Sequence, residues 1–365
     1  MPLHGGKAPR WLFERMVPLA REIVVFMAGE FGRDEVLRRL SDPCWFQAFG
    51  CVLGFDWHSS GLTTTVCGAL KEGLEPVARD LGLFVAGGKG ATSRKTPTEI
   101  AATCERTGLD AAPLVRASRL CAKVDNAAVQ DGYQLYHHAF VFTAEGEWCV
   151  VQEGMNDATA MARRYHWLSE GVRSYVDEPH AAVCCDAQGA TLNLVAHESE
   201  AVRVASARLA AERPEVVLEA LGHLPTLEMP RRHELQPAAD VDPRRLQKVL
   251  LATYEAAPAD FEALLAIEGV GAKTLRALAL TSELIYGSKA STRDPAAGEL
   301  RGLGVWTFTP GSAGRNGRGC GSGPRRTPPP SRAAPRSGPT AHAPHRRCPR
   351  PRAASRPGAR SSGHA

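Results

Sequence analysis

Between residues 11 and 28, Leu12, Met16, Leu19, Ile23 and Met27 recur at helical intervals, which predicts an amphipathic helix with those side chains on one face. Pro18 falls inside the run and is expected to kink it. Residues 34–40 and 63–72 repeat the helical pattern more briefly, whereas 44–61 are rich in glycine and aromatics without a clear period. Thr96-Pro97-Thr98-Glu99 reads as a helix start, with threonine at the cap, proline at the first position and glutamate three residues on. Residues 133–143 and 147–154 read as strands that Ala144-Glu145-Gly146 joins into a hairpin. Residues 181–185 and 191–196 suggest a second hairpin, turning at Gln188-Gly189. Helix resumes over 199–213, and the proline-punctuated 224–237 is the candidate linker. Residues 242–255 form a last amphipathic run, with Leu246, Val249 and Leu250 on one face.

The segment after it is the most specific. In Leu264-Leu265-Ala266-Ile267-Glu268-Gly269-Val270-Gly271-Ala272-Lys273-Thr274-Leu275-Arg276-Ala277-Leu278 an apolar helix end enters a Gly-Val-Gly turn and a second helix begins at once. The pattern predicts a helix-hairpin-helix over 264–280. Gly269 and Gly271 are expected to take backbone angles that a side chain would forbid, and to let a phosphate approach the main chain. The amides at the start of the second helix face that phosphate, and the helix dipole adds attraction. Lys273 and Arg276 complete the expected DNA-contacting set. Arg244 and Lys248 share a face of the preceding helix and extend the patch, or serve as a solvated face. Such contacts hold a backbone without reading bases.

Charge changes the picture only at the end of the chain. The net charge is +5, but residues 311–365 hold 12 of the 44 basic side chains and no acidic one, so the rest of the chain carries 32 basic against 39 acidic residues. A global basic footprint is absent, and any DNA contact must be local. The same 55 residues lack Ile, Leu, Val, Phe and Met, too little apolar surface to offset the entropy of ordering. Their Gly, Ala, Arg and Pro richness fits two origins: a disordered basic tail, or an out-of-frame reading of GC-rich DNA. None of the ten cysteines forms a C-x-x-C pair, so zinc-ribbon and thioredoxin chemistry have no support, and reduced, mostly buried thiols are expected. No run of 18 apolar residues occurs and the start lacks a signal-peptide core, which predicts a cytoplasmic protein with no membrane span.

Three further segments carry candidate chemistry. In Asp56-Trp57-His58-Ser59-Ser60-Gly61, Asp56 and His58 can ligate a divalent metal, or His58 can act as a base; the alternative is a glycine-rich turn whose polar groups satisfy backbone. Asp125 and Asp131 precede the strand that carries His137 and His138, near Lys123, Glu147 and Glu153, a set that a Mg²⁺- or Mn²⁺-dependent nuclease can use, although no spacing is a nuclease signature and aspartates serving as caps or turn residues are the better fit. Asp56, His58, Asp125 and Asp131 are the candidate catalytic residues, with Asp56, His58 and Asp125 as metal ligands. Lys89, Arg94 and Lys95, between Gly87-Gly88 and the Thr96 helix start, are a candidate phosphate cradle, or equally a flexible basic loop; the Walker A spacing fails, so an ATPase is not expected.

The stretches PLHGGKAPRWLFERM from Pro2, SDPCWFQAFG and GFDWHSSGLTT within 41–74, AGGKGATSRKTPTEI from Ala86, KVDNAAVQDGYQLYHHAFVF from Lys123, ARRYHWLS from Ala162, and residues 269–287 resemble an uncharacterised prokaryotic family, domain of unknown function 763. The resemblance runs from Pro2 to Pro295 and implies archaeal or bacterial origin and a helix-hairpin-helix near the C-terminus. It implies no catalytic residues. Members extend ahead of the Pro2-Leu3-His4 match and continue in ordered fashion past Asp294-Pro295-Ala296, where the Arg/Pro-rich tail begins here.

The expected fold is α+β. It has a mixed body with antiparallel hairpins over 1–235, a small all-α helix-hairpin-helix domain over 240–297, and a disordered tail over 298–365. The expected function is DNA binding in nucleic-acid processing or repair, with a metal-dependent nuclease as the enzymatic version. A non-catalytic DNA-binding or partner-recruiting protein is the alternative. Deleting residues 311–365 should leave the melting temperature of the remainder nearly unchanged in a thermal scan; loss of cooperative unfolding would show that the tail folds onto it.

Overall fold

The computed structural model describes residues 1–3, 8–55, 59–221 and 243–296. Its centre is an antiparallel sheet of five strands in the order β1-β3-β4-β5-β6: β1 Leu83–Lys89, β3 Gln134–Thr143, β4 Trp148–Asn156, β5 Met161–Leu168 and β6 Ala182–Cys184. Alternation along the strands sorts side chains to two faces. His138, Phe140, Phe142, Trp148, Val150, Gln152, Tyr165 and Trp167 point one way. His137, Ala139, Val141, Cys149, Val151, Glu153, Arg164 and His166 point the other. Both faces are buried, so these strands show no apolar/polar alternation.

The second face, lined by small and β-branched residues, is covered by α1 Arg10–Phe31, α2 Arg33–Ser41, α3 Pro43–Val52 and α4 Ser60–Leu74. Their buried residues include Met16, Val24, Leu37, Leu40, Phe46, Leu62 and Val66. Helices α1 and α4 approach closely at Gly73, where a Cβ would stand 2.6 Å from the Val17 carbonyl oxygen. That approach turns the inward face of α1 to Met16, Ala20, Val24 and Met27, and leaves the expected inward residue Leu19 41 % exposed. Helix α1 continues through Pro18. Helix α3 lies in the stretch with no legible period; Asp42 starts it by accepting from the amides of Cys44 and Trp45.

The aromatic first face is covered by α6 Thr96–Thr107, α7 Ala111–Lys123, α8 Glu200–Ala210 and the helices after the undescribed 222–242. A short α5, Ala78–Leu81, leads into β1, and a π-helical turn, Val124–Ala128, links α7 to β2, Val129–Gln130. The expected hairpin between 181–185 and 191–196 does not form: β6 pairs with β5, while β7, Leu192–Asn193, pairs with β2. The capping box expected at Thr96 is also absent. The Thr96 hydroxyl donates to the Ser93 carbonyl, and Glu99 accepts from the Gly87 amide instead.

Beyond α9, Pro214–Leu221, come α10 Pro243–Ala256, α11 Phe261–Ala266 and α12 Ala272–Tyr286. Leu264, Leu275 and Leu278 of α11 and α12 belong to one apolar cluster with Phe140, Trp148 and Trp167 of the sheet. The helical segment therefore shares its core with the body. Helix α8 packs against α12, and Asp294, beyond it, pairs with Arg163 of β5 at 2.8 Å. Leu278→Ala should cost about 2–5 kcal/mol. Because Trp148 and Trp167 lie in the same cluster, one shifted cooperative transition is expected when denaturation is followed by tryptophan fluorescence; a second, separate transition would show that α10–α12 unfold on their own.

Candidate functional site

The turn between α11 and α12 is fixed from beneath by the body. The Lys123 ammonium donates to the carbonyls of Ile267 (3.0 Å) and Val270 (2.7 Å), and burial pulls its pKa down. Gln130 donates to the Ala272 carbonyl at 2.8 Å and accepts from the Arg276 guanidinium at 2.8 and 2.5 Å. Val270 is buried under the turn, while Glu268, Gly269 and Lys273 are exposed. Gly269 takes φ +86°, which favours glycine. Gly271 does not: at φ −139° its backbone is extended and open to any residue, so the expectation of forbidden angles there fails. What glycine provides at 271 is space, since a Cβ there would meet nothing within 4 Å. No side chain caps the start of α12.

Arg276 departs from the expected DNA-contacting set. It is 1 % exposed, held on Gln130, and burial lowers its pKa to about 10. A side chain one turn into α12 on the inward face cannot reach a ligand at the outer surface. Lys248 on α10 is exposed, and the Val249 side chain would lie 3.5 Å from a Cβ on Gly269.

Asp125 sits in the π-helical turn, wholly buried, with both carboxylate oxygens occupied. Oδ2 accepts from Gln152 Nε2 (2.5 Å) and Trp167 Nε1 (2.9 Å), and Oδ1 from His180 Nε2 (2.5 Å). The chain of donors propagates. With its amide NH₂ committed to Asp125, Gln152 turns its oxygen to His138 Nδ1 (2.6 Å), so His138 carries its proton there and accepts from Ser118 Oγ through Nε2 (2.9 Å). Burial keeps this imidazole neutral by lowering its pKa.

Asp131 belongs to a separate network. It accepts from Arg163 (2.8 Å), the Tyr165 hydroxyl (2.7 Å) and the Tyr133 amide (3.0 Å), and Arg163 also bridges to Asp294. Burial raises the Asp131 carboxyl, against the pull of Arg163. The two aspartates are thus structural anchors in the aromatic half of the core. Among the described residues no group of three metal-ligating side chains converges. Asp56 and His58 lie outside the described residues. Lys89 ends β1, and Arg94 and Lys95 are exposed on the 3₁₀ turn Gly90–Lys95. Gly87 serves packing: at φ +92°, a Cβ would stand 2.2 Å from the His138 carbonyl oxygen.

The other face of the sheet holds a polar row whose members the sequence named singly, Arg164 excepted, but did not bring together. Lys89, His137, Glu153 and Arg164 are successive cross-strand partners over β1, β3, β4 and β5. Glu153 is fully buried, accepts from the hydroxyls of Thr63 and Tyr136, and burial pushes its carboxyl from 4.5 up to about 7. His137 is buried, and its pKa falls to about 3, chiefly by burial, with His138 and Lys89 adding. Neither His137 ring nitrogen has a hydrogen-bond partner among the described residues, nor do Ser59 Oγ and Arg164 Nε. A buried polar group left so costs about 1–3 kcal/mol. The signal in the sequence was Arg163-Arg164-Tyr165-His166-Trp167, three basic residues inside a strand with aromatics.

These features define an α+β protein whose antiparallel sheet is sheathed by helices on both faces, with an exposed glycine turn at the edge of one layer. The chain belongs to the family described as protein of unknown function DUF763, whose profile matches residues 1–316. No curated protein and no solved structure matches the chain. Among the described residues, no helix is long and apolar enough to cross a membrane.

Glu153 yields a pH test. Between about pH 4.5 and 7 the folded state holds a proton that the unfolded chain releases, so stability falls as pH rises through that window, by on the order of 3 kcal/mol from this group. The neutral histidines act oppositely, since they lose stability as pH falls. Comparison of urea midpoints for the native protein and Glu153→Gln at several pH values isolates the carboxyl: the variant should lose the decline toward pH 7. Parallel curves would show that Glu153 titrates normally.

Proposed function

We infer that this protein binds nucleic acid by its backbone, without sequence preference, through the turn at residues 269–273. One observation carries the reading. An outward-facing turn with a left-handed Gly269 and an unobstructed Gly271 leads directly into a 15-residue helix whose start no side chain caps. Amides in the first turn of a helix lack intrahelical acceptors, and the helix dipole places partial positive charge there. Lys273 in that turn and Lys248 on α10 add cations of the kind that pair with phosphates. Contacts of this type grip a backbone and leave base edges unread.

The body outside this patch is mildly acidic, which concentrates attraction at the turn. Clamping by Lys123 and Gln130 supports the reading as well, because a preformed anion site loses little entropy on binding. Nothing favours cleavage by metal at Asp125 and Asp131: their oxygens are committed to N–H and O–H donors of the core. The non-catalytic version of the expectation is therefore the one advanced.

Fluorescence anisotropy with a labelled duplex at several salt concentrations tests this. Lys273→Ala should flatten the slope of log K against log salt by roughly one. Gly271→Val should weaken binding several-fold at unchanged stability, because its side chain fills the open approach. Unchanged affinity and slope in both variants would overturn the reading.

A further inference from the structure

Four of the eight buried side-chain nitrogen and oxygen atoms without a partner, among the described residues, belong to three residues of one neighbourhood: Ser59 Oγ, both ring nitrogens of His137, and Arg164 Nε. The register places His137 and Arg164 on either side of Glu153 in one row. Thr63 joins the row to α4: its hydroxyl donates to Glu153 and receives an Arg164 N–H at 3.4 Å. Ser59 immediately precedes α4, and Ser60 bonds the Tyr136 hydroxyl. Arg164 is 3 % exposed, lies over the Phe46 ring at 4.9 Å, and has no ion-pair partner among the described residues. The neighbouring carboxyl, Glu153, holds its proton up to about pH 7, so below that pH this buried guanidinium is short of counter-charge and favours an anion. Lys89, at the exposed end of β1 and 5.6 Å from the half-buried Tyr136 ring, brings the row to the surface.

We propose that Arg164, His137 and Ser59, beside Glu153 on the α4 side of the sheet, form a binding site for an oxyanion, a phosphate either free or carried by a small molecule. The unsatisfied groups match that ligand. Arg164 Nε–H and Ser59 Oγ–H are donors for its oxygens. Neutral His137 offers one donor and one acceptor, and a phosphate near neutral pH carries both oxygens and a P–OH. Glu153 donates when protonated and repels when ionised, so oxyanion affinity falls as it loses its proton. The groups facing it are Arg164 and His137 on the sheet, Thr63 and Cys67 on α4, Tyr136 on β3, Lys89 beyond His137, and the amino group of Met1. The site lies on the opposite face of the sheet from the layer that carries the 269–273 turn and stands independently of the nucleic-acid reading.

Calorimetric titration of the full chain with sulfate, inorganic phosphate and adenosine monophosphate tests it. Sulfate does not titrate near neutrality, so its pH dependence reports the protein. Sulfate and phosphate should compete at pH 6 with a Kd below roughly 5 mM. Sulfate should weaken at least about threefold by pH 8, and Glu153→Gln should abolish that change. His137→Phe, which keeps the ring and removes its polar atoms, and Arg164→Met should each weaken binding about tenfold, whereas Arg10→Ala, a surface cation, should not. Tighter binding of adenosine monophosphate than of phosphate assigns the anion to a carried phosphate, and equal binding to a free one. No saturable binding by the native protein, or native-like affinity in His137→Phe, overturns the proposal; if the buried variants fail to fold, a sulfate affinity unchanged from pH 6 to 8 in the native protein overturns it alone.

Discussion

A buried carboxylate must be surrounded by donors, and in this protein meeting that demand at Asp125 organises the aromatic half of the molecule. Its three donors come from β4, from β5 and from the segment ahead of β6. Strands separated in sequence are thereby held in one register, and the π-helical turn that carries Asp125 is pinned against them. The same turn leads into Gln130, which holds Arg276 and the first carbonyl of α12. From one charge, the order of connections runs outward to the exposed turn. A substitution at Asp125 would release a tryptophan, a glutamine and a histidine together, so its effect should be far from additive.

The sheet carries polar groups through its middle on both faces, and the two faces resolve the cost differently. On the aromatic side the charges around the two aspartates are paired, Asp131 with Arg163, Arg163 with Asp294 and Asp125 with its donors, while Arg276 rests on the Gln130 amide. On the α4 side the pairing is incomplete, since Glu153 bonds only to hydroxyls and Arg164 to no carboxylate among the described residues. Pairing of the first kind fixes one arrangement of the core. Incompleteness of the second kind is a standing destabilisation, which a bound group would relieve.

Legibility in the sequence followed period and locality. The β3–β4 hairpin was plain, because two runs rich in aromatic and β-branched residues flank a short glycine-containing connector. The helices at 63–72 and 242–255 were plain for their spacing. Strand β1 was not: Leu83-Phe84-Val85-Ala86-Gly87-Gly88-Lys89 is buried on both faces and has no alternation, and its glycines suggested a loop. Helix α3 hid among aromatics, although Asp42-Pro43 was its start signal. The roles of Asp125 and Arg276 could not be read locally, because their partners lie 27 to 146 positions away. Arg276 occupies an apolar stripe, where only the distant Gln130 makes a guanidinium tolerable. For the same reason the candidate carboxylates were noticed and their purpose was not: type and spacing say that a charge is present, and register says what it faces.

The Lys123 clamp has a mechanical consequence. Two carbonyls of the glycine turn hang on one ammonium that is rooted in the end of α7, so the turn cannot swivel relative to the sheet without breaking both bonds. A load applied to the turn from outside passes through Lys123 into α7 and the π-helical segment, and spreads over the sheet rather than being absorbed by a hinge. The turn behaves as a fixed cleat, and whatever is fastened to it inherits the orientation of the whole body.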